Sequence, residues 1–129
     1  DLQDYLTEAV DNFCKDTMGF TYYESHLLYF GTGSVTNLHR DIHAGLRHRN
    51  DIFDLIDEED LYSQFRKFWI PLEDRKTGHF FEVNGVPIVD WKANDIIEFQ
   101  SCYPHCGANC GPEPRIALLI TGTYVKKDE

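Results

Sequence analysis

Apolar residues recur at steps of three and four through the start of the chain, at Leu2, Tyr5, Leu6, Ala9, Val10 and Phe13, with acids between them. That period predicts an amphipathic helix packed on the outside of a larger body, and Lys15 to Gly19 reads as its end and a turn. From Phe20 to Asn37 aromatic and β-branched residues dominate and Gly31 and Gly33 interrupt them, which predicts two strands or one bent strand. Further strands are expected at Phe65 to Leu72, Phe80 to Val83, Val86 to Trp91, Asp95 to Phe99 and Arg115 to Tyr124. Asn84-Gly85 between two of these is a strong hairpin signal. In the last strand Ile116, Leu118 and Ile120 alternate with Ala117, Leu119 and Thr121, so its two faces differ. Between Asp41 and Gln64 strand character is low, and the mixed spacing of Ile52, Phe53, Leu55, Ile56 and Leu61 leaves room for a short helix. Many short strands separated by turn residues predict an all-β core with a flanking N-terminal helix.

At 129 residues the chain is one domain, 1–129, long enough to bury a core without staples. Its net charge of −10 includes no Lys/Arg cluster, so nucleic acid is not expected as a direct partner. The longest apolar run, Ile116 to Ile120, is far short of the ~20 residues of a membrane span, and no membrane association is expected. No signal peptide is apparent, although a chain that starts at Asp1 leaves a trimmed start open. Cys102, Cys106 and Cys110 are evenly spaced, but Pro104, Gly107, Gly111, Pro112 and Pro114 break any helix that would align them. Paired C-x2-C units are absent. Cys14 and these three therefore read as free thiols of a cytoplasmic protein, or as one incidental disulfide.

The candidate chemistry lies in Leu38-His39-Arg40-Asp41 and in Ser101 to Ile120. Two neutral imidazoles and a carboxylate can occupy one face of an octahedral Fe(II) and leave the opposite face open. His39, Asp41 and His105 supply that set, and Arg115, ten residues after His105, offers a planar fork for a carboxylate. His39 and His43 have the spacing of a helical zinc-protease pair, but no Glu follows His39 and Gly45 disfavours the helix.

These residues, in this order, resemble the Fe(II)- and 2-oxoglutarate-dependent dioxygenases over about Glu24 to Thr123. The likeness is to compact hydroxylases, including stand-alone forms of phage and marine microbes. The resemblance implies a double-stranded β-helix (jelly roll) with His39, Asp41 and His105 as catalytic metal ligands for Fe(II). Arg115 would bind the distal carboxylate of the co-substrate 2-oxoglutarate. It further implies hydroxylation of a peptide or small-molecule substrate by dioxygen, with release of succinate and CO2. Halogenation is disfavoured, because the related halogenases lack the carboxylate that Asp41 provides. The family often has a hydroxyl two residues after the arginine, where this chain has Ala117. Tyr29, Thr36 or Tyr103 would then assist, or a second base, Arg66 or Lys67.

The segment 44–63, acidic from Asp51 to Asp60, reads either as a solvated acidic face or as a mobile lid that controls substrate entry. Phe68, Trp69, Phe80 and Phe81 are expected to be core residues or pocket walls. The competing class is a non-enzymatic, cupin-like binding or accessory structural domain with the same barrel. Neither the substrate nor the oligomeric state is legible in the sequence.

Overall fold

The computed structural model describes residues 2–41, 64–101 and 103–125. Helix α1, Leu2–Asn12, runs into a π-helical turn at Phe13–Thr17, and Gly19 at φ +66° redirects the chain. Eight strands follow: β1 Tyr22–Phe30, β2 Val35–His39, β3 Phe65–Pro71, β4 His79–Val83, β5 Val86–Pro87, β6 Ile97–Gln100, β7 His105–Asn109 and β8 Arg115–Thr123. They form two antiparallel sheets, β1-β8-β3-β6 and β2-β7-β4-β5. The chain changes sheet at every strand connection except the β4–β5 hairpin, so most sequence neighbours face each other across the interior instead of pairing. This is the double-stranded β-helix. No helix among the described residues is long and apolar enough to cross a membrane.

Strand β8 is central, paired with β1 on one side and β3 on the other. Its alternation gives it two jobs. Ile120 joins Val10, Cys14, Phe20 and Phe68 in a cluster under the helix, with Leu118 and Ile70 at its margin. Arg115, Ala117 and Leu119 face the other sheet, where Trp69, Phe81, Val83, Trp91 and Phe99 form the inner core. Phe20 also covers Gly122, where a Cβ would lie 2.3 Å from its ring. The buried stripe of the helix is narrower than its sequence pattern, because Tyr5 and Ala9 face solvent and only Val10 and Cys14 are fully covered. Burial pushes the Cys14 thiol up to about 11, so it behaves as a small apolar group. Tyr23 donates to Asp11 at 2.6 Å and ties the helix to β1.

The hairpin at Asn84-Gly85 has both residues at positive φ, 52° and 79°, as a tight primed turn requires. Its second strand is shorter than expected: β5 ends at Pro87, which lacks an N–H, and Trp91 is buried from a loop. β7 is a strand that the pattern of apolar residues did not reveal. Near Asn109 two backbone segments approach too closely to admit side chains between them. A Cβ on Gly78 would meet Gly111 N at 2.2 Å, and one on Gly111 would meet Thr77 O at 1.7 Å. Asn109, fully buried, bonds Phe30 O and Glu113 O through Nδ2 at 2.8 Å each and accepts from Gly111 N at 2.9 Å. Buried His79 contacts Glu113 O at 2.9 Å beside it.

Shortening Ile120 to Ala leaves a hole between sheet and helix, and by large-to-small core substitution it is expected to cost about 2–5 kcal/mol of stability. Chemical denaturation checks this. The inner face should be untouched, so divalent-metal affinity of the folded variant should equal that of the parent.

Candidate metal centre

His39 ends β2, and its inward orientation rests on one irregularity. Thr36 pairs with Gly107 and His39 with His105, so three residues of β2 span two of β7. In an unbroken ladder Leu38 would face the interior and His39 the solvent, because faces alternate with period two. The extra residue, a β-bulge, reverses that: Leu38 is exposed and the His39 and His105 rings lie 4.4 Å apart. Asp41 follows two residues later and turns back between them.

One ligand atom from each of His39, Asp41 and His105 lies within 4.8 Å of the other two. Asp41 Oδ1 is 3.2 Å from His39 Nε2, and its Oδ2 is 3.1 Å from His105 Nε2. The far nitrogen of each ring is occupied: His39 Nδ1 lies 2.5 Å from Asn37 O and His105 Nδ1 3.1 Å from Tyr103 O. A carbonyl can only accept, so in the neutral rings the proton sits on Nδ1 and both Nε2 lone pairs point at the carboxylate. Three lone-pair donors converging without a cation would repel. A divalent ion between them satisfies all three, and backbone partners on the outer nitrogens are the usual support for such a site.

A cation of the protein's own also reaches this cluster. Lys67, on β3 in the opposite sheet, is 3% exposed and its Nζ contacts Asp41 Oδ2. Burial alone would raise the Asp41 pKa, but a hydrogen bond from His105, when that ring is protonated at both nitrogens with no ion bound, and one from Lys67, with their charge, outweigh it and hold the carboxyl well below the usual range.

Behind the cluster lies a cavity of about 160 Å³, walled by Leu28, Phe30, Thr36, Trp69, Phe81, Phe99, Gly107 and Leu119 together with the charged residues. Arg115 is 4% exposed at its inner end. Its Nη1 donates to Phe80 O at 2.7 Å, and its guanidinium lies 4.1 Å from the centre of the Phe30 ring and 5.4 Å from that of Trp69. Among the described residues no carboxylate pairs with it, and its Nε and Trp69 Nε1 have no hydrogen-bond partner. Burial lowers its pKa to about 10. Gly107 makes room for it: a Cβ there would lie 2.8 Å from Nη1 and 3.3 Å from Phe80 O.

The candidate assistants of Arg115 separate cleanly. Thr36 and Lys67 line the cavity. Tyr29 does not: Phe30 pairs with Arg115, so its neighbour Tyr29 points outward and is 67% exposed. Tyr103 contributes its carbonyl to His105, is 38% exposed and does not line the cavity. Arg66 faces the outer surface, with Nε 2.6 Å from Glu98 Oε1. Of the four aromatics, Trp69 and Phe81 are walls, Phe68 packs under the helix, and Phe80 is exposed. Cys14, Cys106 and Cys110 are free thiols. The expected lid, 44–63, and Cys102 lie outside the described residues.

The folded chain is similar to solved double-stranded β-helix proteins. One is an uncharacterized conserved protein with such a domain from Klebsiella pneumoniae, at 16% identity and TM-score 0.51, covering 79% of this chain and 68% of that one. A cupin protein from Bacteroides fragilis matches at 14% identity and TM-score 0.52, over 89% and 77%. A predicted oxalate decarboxylase from Thermotoga maritima matches at 19% and 0.51, over 84% and 73%. At such identities the likeness is one of fold, the cupin-like jelly roll. No protein-family profile and no curated protein matches the sequence.

Replacing His105 with Ala removes one of the three donors. Mn(II) or Co(II) affinity, measured by calorimetry, is expected to fall by more than the roughly 10–100-fold that losing an outer-shell partner costs.

Proposed function

We propose that this protein is an Fe(II)- and 2-oxoglutarate-dependent oxygenase that hydroxylates a peptide or small-molecule substrate and releases succinate and CO2. The observation that carries the reading is the pairing, within one small cavity, of the His39/Asp41/His105 donor set with Arg115, a buried cation for which no carboxylate is found among the described residues. Either half alone is ordinary. A metal-binding triad occurs in many barrels, and buried arginines are common when paired. A guanidinium without a counter-charge in an apolar recess is costly unless a ligand supplies the anion, and a dicarboxylate that also chelates a metal supplies it.

His39, Asp41 and His105 would hold the ion, which when bound supplies the activation of dioxygen. The protein's part is orientation and exclusion of water. Arg115 fixes the far carboxylate, with Thr36 and Gly107 beside it. Leu28, Phe30, Trp69, Phe81 and Leu119 keep the recess apolar, which strengthens that pairing. The backbone carbonyls of Asn37 and Tyr103 keep the imidazoles in the ligating tautomer.

A second reading is favoured by one observation, the contact of Lys67 with Asp41, which gives the cluster a cation of its own. On that reading the domain is a cupin-like binding module without oxygenase activity. Anaerobic titration with Fe(II) and then 2-oxoglutarate separates the two. The oxygenase reading expects a weak visible charge-transfer band, and folded protein that binds Fe(II) without the band supports the module.

In the Arg115→Leu variant 2-oxoglutarate affinity should drop by at least about tenfold, the scale of a lost charge-assisted pair, while Mn(II) affinity is retained. An unchanged affinity would show that another residue is the anchor. Gly107→Ala should weaken the co-substrate in the same direction by crowding Nη1. The pH dependence follows from the lowered Arg115 pKa. The guanidinium is cationic at neutral pH and loses its proton as pH rises through about 10. Co-substrate affinity should therefore be flat from pH 7 to about 9 and fall above that, by calorimetry on the Mn(II) protein.

A further inference from the structure

With a divalent metal in place, the cavity contains more positive charge than a dicarboxylate can neutralise. Among the described residues its lining includes Asp41 as the one carboxylate, and Arg115 and Lys67 as cations. Asp41 now serves Lys67, His39 and His105 together. When a divalent ion takes the three ligands, Asp41 is committed to the ion, and Lys67 remains buried with its counter-charge largely spent. The walls and ion then carry three net positive charges, and a dicarboxylate at Arg115 removes two. Glu24 sits on the same sheet face, across Thr121 from Lys67, but it lies 3.8 Å from His26 and is not part of the lining.

The two cations also differ in position. Arg115 lies at the inner end, against Gly107 and Phe30. Lys67 pairs with Thr121 of β8 and Phe99 of β6, two residues from the start of β3 and on the Asp41 side. Trp69, next inward on the same face, separates it from Arg115. The ion would thus have two fixed cations near it at separate positions, Arg115 against Phe30 and Gly107 and Lys67 against Asp41.

From this arrangement we infer that Lys67 is a second anion anchor, which receives a carboxylate of the substrate itself, so that the substrate class is small carboxylic acids. The inference rests on the oxygenase reading of the site and deepens it. A compact, strongly hydrated ammonium with three rotatable donors suits such a group, and in a buried setting it disfavours neutral analogues of the same shape.

The test uses protein loaded with Mn(II), with and without saturating 2-oxoglutarate, titrated with acetate and with acetamide and followed by water-proton relaxation. Saturable acetate binding to the 2-oxoglutarate complex is expected, with acetamide at least about tenfold weaker, the scale of one charge-assisted hydrogen bond. Lys67→Met should abolish that preference and Lys67→Arg should restore it, with circular dichroism reporting that both variants fold. Should Lys67→Met itself fail to fold, the acetate against acetamide comparison on the parent decides. Equal binding of the two probes, no saturable acetate binding, or a preference that survives Lys67→Met would each overturn the inference. So would a loss of 2-oxoglutarate affinity in Lys67→Met as large as that in Arg115→Leu, which would assign Lys67 to the co-substrate. Failure of 2-oxoglutarate to bind the parent, with Lys67-dependent acetate binding intact, would instead sink the oxygenase reading and leave the anion anchor standing.

Discussion

A charge withdrawn from water must find a partner, and here one carboxylate, Asp41, meets three groups at once. His39 approaches one of its oxygens, and His105 and Lys67 share the other. These groups come from three strands and from both sheets, so the arrangement exists only once the sandwich has closed. The remainder of the interior follows from that constraint. Apolar walls keep water out, which raises the cost of any unpaired charge and the value of each paired one. Arg115 meets the same demand differently, with one backbone carbonyl and two aromatic faces in place of a carboxylate. Aromatic quadrupoles offset only part of what a carboxylate would supply.

Geometry is held in place by omissions as much as by contacts. The extra residue in β2 breaks the ladder and so turns an imidazole inward where an aliphatic side chain would have gone. Gly107 omits a side chain where the guanidinium must lie, and Gly78 and Gly111 omit theirs where two backbone segments touch. Each omission weakens a local preference for strand or turn, and the tertiary structure compensates for it.

Much of the outer architecture was legible in the sequence because it depends on alternation. The residues 115–124 declared two different faces, and one became the seat of the helix and the other the cavity wall. The Asn84-Gly85 turn was readable from its chemistry alone. Strand β7 was not: His105-Cys106-Gly107-Ala108-Asn109 contains weak strand formers, and its place is fixed by pairing with β2 and β4. Nor could the sequence decide between Arg66 and Lys67. Phe65 to Trp69 does not alternate in polarity, because both faces of β3 are covered, and only register against β8 assigns Lys67 to the interior. Tyr29, one step from inward-facing Phe30, points outward by the same alternation. The site residues were recognisable as a set through their order along the chain, but the bulge that aligns His39 leaves no mark in composition or period.

Arg115, the two imidazoles, Asp41 and Lys67 all line one cavity of about 160 Å³. Under the proposed reading two acids would have to share that volume, so the bulk of one would limit the bulk of the other. Size selection between co-substrate and substrate would then follow from shared space, with no further device needed.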